Sequence, residues 1–69
     1  MTNTIKTATY AMHHDRFMGV TAVERAADGF TTPWHTGREA KAHFTMASKL
    51  LLVDDDRFNS YCANMIGEQ

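Results

Sequence analysis

TGREAKAHFTMASKLLLV, residues 36–53, decides the fold. It opens as a capping box: the Thr36 hydroxyl can accept from the N3 amide while Glu39 reaches back. At about 100° per residue, Ala40, Phe44, Ala47 and Leu51 fall on one apolar stripe. Arg38, Lys41, Thr45, Ser48 and Lys49 gather on the opposite side. A second apolar line runs through Ala42, Met46, Leu50 and Val53. One stripe suffices to cover a small sheet. Two adjoining stripes predict a helix covered from two directions, and Met46, Leu50 and Val53 are assigned to a homodimer interface of the isologous twofold kind.

Outward to the C-terminus, residues 54–66 read as a second helix. Asp54 can cap it, Asp55 and Asp56 suit the positive end of its dipole, and Gly67 ends it. Phe58, Tyr61, Cys62, Met65 and Ile66 share one face. Outward to the N-terminus, residues 5–12 alternate Ala8, Tyr10 and Met12 with Thr7, Thr9 and Ala11, which predicts a half-buried strand. His13, His14 and Asp15 then suggest a turn. Residues 16–25 read as a second strand, with Met18, Val20 and Ala22 on one face and Phe17, Thr21 and Val23 on the other. Asp28-Gly29 is a turn signal, and Phe30–Trp34 can return as a third strand with Pro33 at an edge. A helix over 21–29 competes with this hairpin, because Thr21-Ala-Val-Glu24 also fits a capping box and Gly29 a C′ position. The expected fold is α+β, a short antiparallel meander or hairpin followed by two helices in a homodimer. The alternative is a small all-α dimer.

The 69 residues allow one domain, 1–69, and a domain this small buries only about 60% of its unfolded surface. Small scaffolds usually lean on a disulfide, a metal or a second subunit. Cys62 is the one cysteine, so no intrachain disulfide forms, which fits a reducing cytoplasm. No apolar stretch is long enough to span a membrane, and the first residues lack a signal-peptide core. The net charge of −1 argues against a general nucleic-acid binder. The charge is uneven, however. Residues 50–69 carry Arg57 against Asp54, Asp55, Asp56 and Glu68, an acidic end suited to a basic partner.

His13, His14, His35 and His43 invite a zinc site, but the spacing shows no HxxxH pair and no CxxC. Surface histidines are the simpler reading, and no metal or cofactor is expected. Ser48, Ser60 and Cys62 sit in no nucleophile elbow or glycine-rich oxyanion loop. Cys62 lies on an apolar stripe as a small core residue. Catalysis is therefore not expected. Arg38, Lys41 and Lys49 could serve a small DNA-binding regulator, although the ordinary solvated face of an amphipathic helix is the simpler reading. Partner binding is assigned to Asp54, Asp55, Asp56 and Arg57, with Trp34 as a hot spot if exposed and a core residue otherwise.

Taken whole, the chain resembles the small early accessory proteins of temperate transposable phages, and among them the phage anti-quorum-sensing inhibitors. The length of 69 residues, the opening MTNTIK and the lack of an enzyme motif carry the resemblance. It implies a cytoplasmic inhibitor made early in infection. Such a protein binds a host LuxR-type transcriptional activator at its DNA-binding region and keeps it from promoters. It also binds the type IV pilus assembly ATPase, which protects the infected cell from further phages that use pili. A dimer would offer two copies of the acidic corner to basic DNA-recognition helices. The same features also suit an anti-CRISPR-like inhibitor of another host complex.

Overall fold

The structure is a computed structural model that describes residues 2–31 and 35–67, and of His35 the backbone alone. It is an α+β fold, a meander of antiparallel strands followed by two helices. The strands are β1 (Thr2–Lys6), β2 (Tyr10–Asp15), β3 (Val20–Arg25) and the two-residue β4 (His35–Thr36), hydrogen-bonded in that order. The helices are α1 (Gly37–Val53) and α2 (Asp55–Ile66).

The alternation in β2 and β3 explains which face is covered. Met12 pairs with Val23, His14 with Thr21 and Ile5 with Met12, so these side chains share the face beneath the helices. Tyr10, Met12 and Val23 join Ala47 of α1 and Phe58 and Cys62 of α2 in one core. Phe44, Leu51, Tyr61, Met65 and Ile66 pack at its margin. The stripe Ala40, Phe44, Ala47 and Leu51 is thus the sheet-facing side of α1, as its period predicts. A strand, Val20–Arg25, also prevails over the helix at 21–29. The β ladder from β2 satisfies those backbone groups, and Tyr10 to Asp15 provide the partners.

Four expectations need correction. Residues 5–12 are not one strand, because the chain turns between Lys6 and Tyr10. Thr7 makes that turn. Its N–H donates to the Tyr10 carbonyl at 2.8 Å, and its hydroxyl oxygen accepts from the N–H groups of Thr9 and Tyr10. The same hydroxyl donates to Asn59 of α2 at 2.5 Å, tying the turn to a residue 52 positions away.

The turn expected at His13-His14-Asp15 lies one step later, at Asp15–Gly19. There the Asp15 carboxylate accepts from the N–H groups of Phe17 and Met18, both at 3.0 Å. Gly19 closes the turn with φ 68°, a left-handed conformation that glycine adopts without a Cβ penalty. Phe17 and Met18 are therefore loop residues and not strand residues, and Val20–Arg25 alone forms the strand.

The capping box of Thr36 and Glu39 does not form, since the Thr36 side chain makes no cap hydrogen bond. Thr36 is still a strand residue paired with Val20, and Gly37 follows at φ 70° with its N–H given to the Gly19 carbonyl. Of the segment 30–34, Phe30 accepts from the Arg25 N–H and Thr31 bridges Glu24, while residues 32–34 lie outside the described residues.

His14 departs from the surface role expected of the histidines. It is buried, its Nδ1 lies 2.6 Å from the Thr21 hydroxyl, and its ring stacks on Phe44 with centroids 5.0 Å apart. Thr21 donates its one proton to the Ala40 carbonyl at 2.7 Å. The His14 Nδ1 therefore carries the proton in the other bond. Thr21→Val keeps the shape and removes both bonds, leaving a buried N–H unmet. The expected loss is about 1–3 kcal/mol. It should appear as a lower urea midpoint at an unchanged slope, whereas an unchanged midpoint would show that the network carries no stability.

Candidate functional site

The joint between α1 and α2 presents the densest group of candidate contacts. Asp54 caps α2 as expected, its carboxylate accepting from the Asp56 N–H at 2.8 Å. Its own N–H returns to the Leu50 carbonyl at 2.9 Å, closing α1. One extended residue therefore ends one helix and starts the next, which sets the direction of everything around it. Asp55, Asp56 and Arg57 are all exposed in the first turn of α2. Immediately before them Leu52 is 89% exposed and Val53 69% exposed. Two apolar side chains thus stand beside three carboxylates at a corner held by two caps.

The residues assigned to the dimer divide between two surroundings. Leu50 is half-buried and helps line an open groove of about 350 Å³ with Asp56, Arg57, Ser60, Tyr61 and Asn64. Part of the second apolar line is thus covered by α2 of the same chain. Met46, 48% exposed, and Val53 remain on the open side of α1. His43, on the α2 side of α1, lies with its Nδ1 2.6 Å from the Tyr61 hydroxyl. Burial pushes the Tyr61 hydroxyl pKa upward, which keeps it protonated.

Arg38, Lys41 and Lys49 come together on α1. They surround Ala42, Thr45 and Met46 in an open groove of about 380 Å³, so the cations rim an apolar floor. Among the described residues none of the three is in an ion pair. Trp34 lies outside the described residues.

Two groups were not singled out from sequence. The first is the loop tip Phe17-Met18, 88% and 68% exposed. The Asp15 bonds and the Gly19 turn hold it out from the sheet. The N–H groups of Met18 and Phe17 also hold the Asp15 carboxyl below its ordinary pKa, so it stays ionised and keeps its grip. An Asp four residues before a Gly was the available signal. The second is a chain across the outer face of the sheet. The Thr4 hydroxyl is 3.0 Å from His13 Nδ1, and His13 Nε2 is 2.9 Å from Glu24. Hydroxyl, imidazole and carboxylate in series is the order that activates a nucleophile. Here Thr4 is exposed, and the chain ties three strands together.

Cys62 is buried with a free thiol, in keeping with its place on an apolar stripe. No group of three or more His, Cys, Asp or Glu among the described residues is placed to hold a metal ion. No helix among them is long and apolar enough to cross a membrane. The fold is of the α+β class, with an exposed apolar and acidic joint between its helices. No protein-family model, curated protein or solved structure matches the chain.

Proposed function

We propose that this chain is a non-catalytic inhibitor that works by binding another protein, a host LuxR-type activator held at its DNA-binding region. The observation that carries the reading is the α1–α2 joint. Leu52 and Val53 provide exposed apolar anchors, and the exposed Asp54, Asp55 and Asp56 follow them directly with negative charge. A DNA-recognition helix carries the complementary charge. Its arginines and lysines meet phosphates when it works, and carboxylates at this corner would take the place of those phosphates. Apolar anchors supply affinity, while the charges supply orientation and association rate. The sequence resemblance supplies the LuxR-type target, the host cytoplasm and a second partner, the type IV pilus assembly ATPase.

Two variants separate the contributions. Changing Asp54, Asp55 and Asp56 to asparagine removes charge but keeps an Asn cap on α2. It should weaken binding to a LuxR-type activator by about tenfold or more at low salt and flatten the salt dependence. Leu52→Ser should weaken binding by about tenfold at all salt concentrations, which is about 1.4 kcal/mol for an exposed anchor. Unchanged affinity in both variants would remove the joint as the contact.

A second reading rests on Arg38, Lys41 and Lys49, which are unpaired on one helix among the described residues. A small DNA-binding regulator would use them against phosphate. Retention of DNA by the purified protein alone would favour that reading.

A further inference from the structure

We propose that the open side of α1 is covered by α1 of a second copy of this chain. The two helices run antiparallel about a twofold axis, and the basic residues of one copy pair with the carboxylates of the other. The proposal does not depend on which target the protein inhibits.

The helix has three sides. Ala40 and Ala47 are buried, with Phe44 and Leu51 packed at the core margin beside them. His43 and Leu50 lie toward α2. Ala42, Met46 and Val53 are left exposed, with Lys49 among them on the helical projection.

Charge along this open side is segregated. Arg38, Lys41 and Lys49 lie on the helix, and Asp54, Asp55 and Asp56 follow directly after its end. Neither set is in an ion pair among the described residues. Lys41 is out of reach of these carboxylates of its own chain. Lys41 and Asp54 are 13 positions apart, about 20 Å along a helix axis.

Direction follows from that segregation. Parallel pairing would set lysine against lysine and aspartate against aspartate. Antiparallel pairing sets unlike charges together and also opposes the two helix dipoles. With the axis passing between Ala47 and Ser48, Lys41 is level with Asp54 of the second copy and Ala42 with its Val53. Met46 is then level with Lys49 of the second copy, whose aliphatic stem can lie along the thioether. Twofold symmetry makes each contact twice.

The chain exposes 4654 Å² in all. A standard interface takes about 800 Å² from each partner, more than one helix face of this size offers. The dimer is accordingly a weak one, with a dissociation constant on the order of micromolar. Because Asp54–Asp56 also form the proposed target contact, dimer and target complex compete.

The test is sedimentation velocity on the full chain across the micromolar range. Wild type should pass from monomer to dimer, and the dimer should weaken as salt rises. Lys41→Glu and Asp55→Lys lie at exposed positions, and each alone should weaken the dimer by about tenfold or more. An equimolar mixture of the two variants should dimerise again. In that heterodimer Glu at 41 lies one residue from level with Lys at 55, and Lys41 one residue from level with Asp55, both within the reach of a lysine side chain. A monomeric wild type, a dimer indifferent to both substitutions, or a mixture no better associated than its components would each overturn the proposal.

Discussion

Phe58→Ala is expected to remove a large part of the stability of the fold. Phe58 is fully buried on α2, in the one core that joins Tyr10, Met12 and Val23 of the sheet to Ala47 of α1. Truncating a buried phenylalanine costs about 3–5 kcal/mol, from lost transfer energy and the cavity left behind. A domain of 69 residues has roughly 3–10 kcal/mol to lose. Neither helix can shift to refill the space without breaking other contacts, because α1 and α2 are joined through Asp54 alone and both rest on the same strands. Circular dichroism with urea titration measures the loss. A drop of less than about 1 kcal/mol would mean that Phe58 does not hold the core together.

The Cys62 thiol should be almost inert in the folded chain. Burial pushes it up from 9.0 to about 12. At about pH 8 such a shift lowers the thiolate fraction by about a thousandfold, and only the thiolate reacts. Labelling with a disulfide reagent should therefore be at least about a thousandfold slower in buffer than in urea. A native rate within about tenfold of the unfolded rate would show that Cys62 is accessible and not a core residue. The same shift sets a pH dependence. The folded state holds its proton where the unfolded chain gives it up. The stabilisation is complete below pH 9.0 and is lost progressively as pH rises toward about 12.

The helices were legible because their signals are local. A stripe of period 3.6 on α1, Asp54 before an acidic turn, and Gly67 after the last apolar residue need no knowledge of the rest of the chain. Asp54 caps α2 and Gly67 ends it at φ 93°, as those signals imply. The strands were less legible because their turns depend on distant groups. Thr7-Ala8-Thr9 holds no Gly, Pro, Asn or Asp, and it turns on a hydroxyl anchored to Asn59. His14 reads as polar and exposed until Thr21 on β3, its hydroxyl anchored on the Ala40 carbonyl of α1, supplies its partner.

The candidate site was legible in part. Asp54–Arg57 lie exposed at one joint, and Met46 and Val53 lie on the open side of α1. The second apolar line of α1 points to another subunit over Met46, Leu50 and Val53, although α2 of the same chain reaches Leu50. Leu52, the most exposed of the large apolar side chains at the joint, falls on neither stripe of the helical projection, so periodicity alone passes it over.

The proposed function is tested most directly by a gel shift that combines this protein, a LuxR-type activator and its labelled promoter DNA. The account predicts that the protein leaves naked DNA unshifted, and that it releases the activator from its promoter. It also predicts that the Asp54→Asn, Asp55→Asn, Asp56→Asn variant fails to do so. Activator that stays on its promoter at every concentration of the protein would contradict the account.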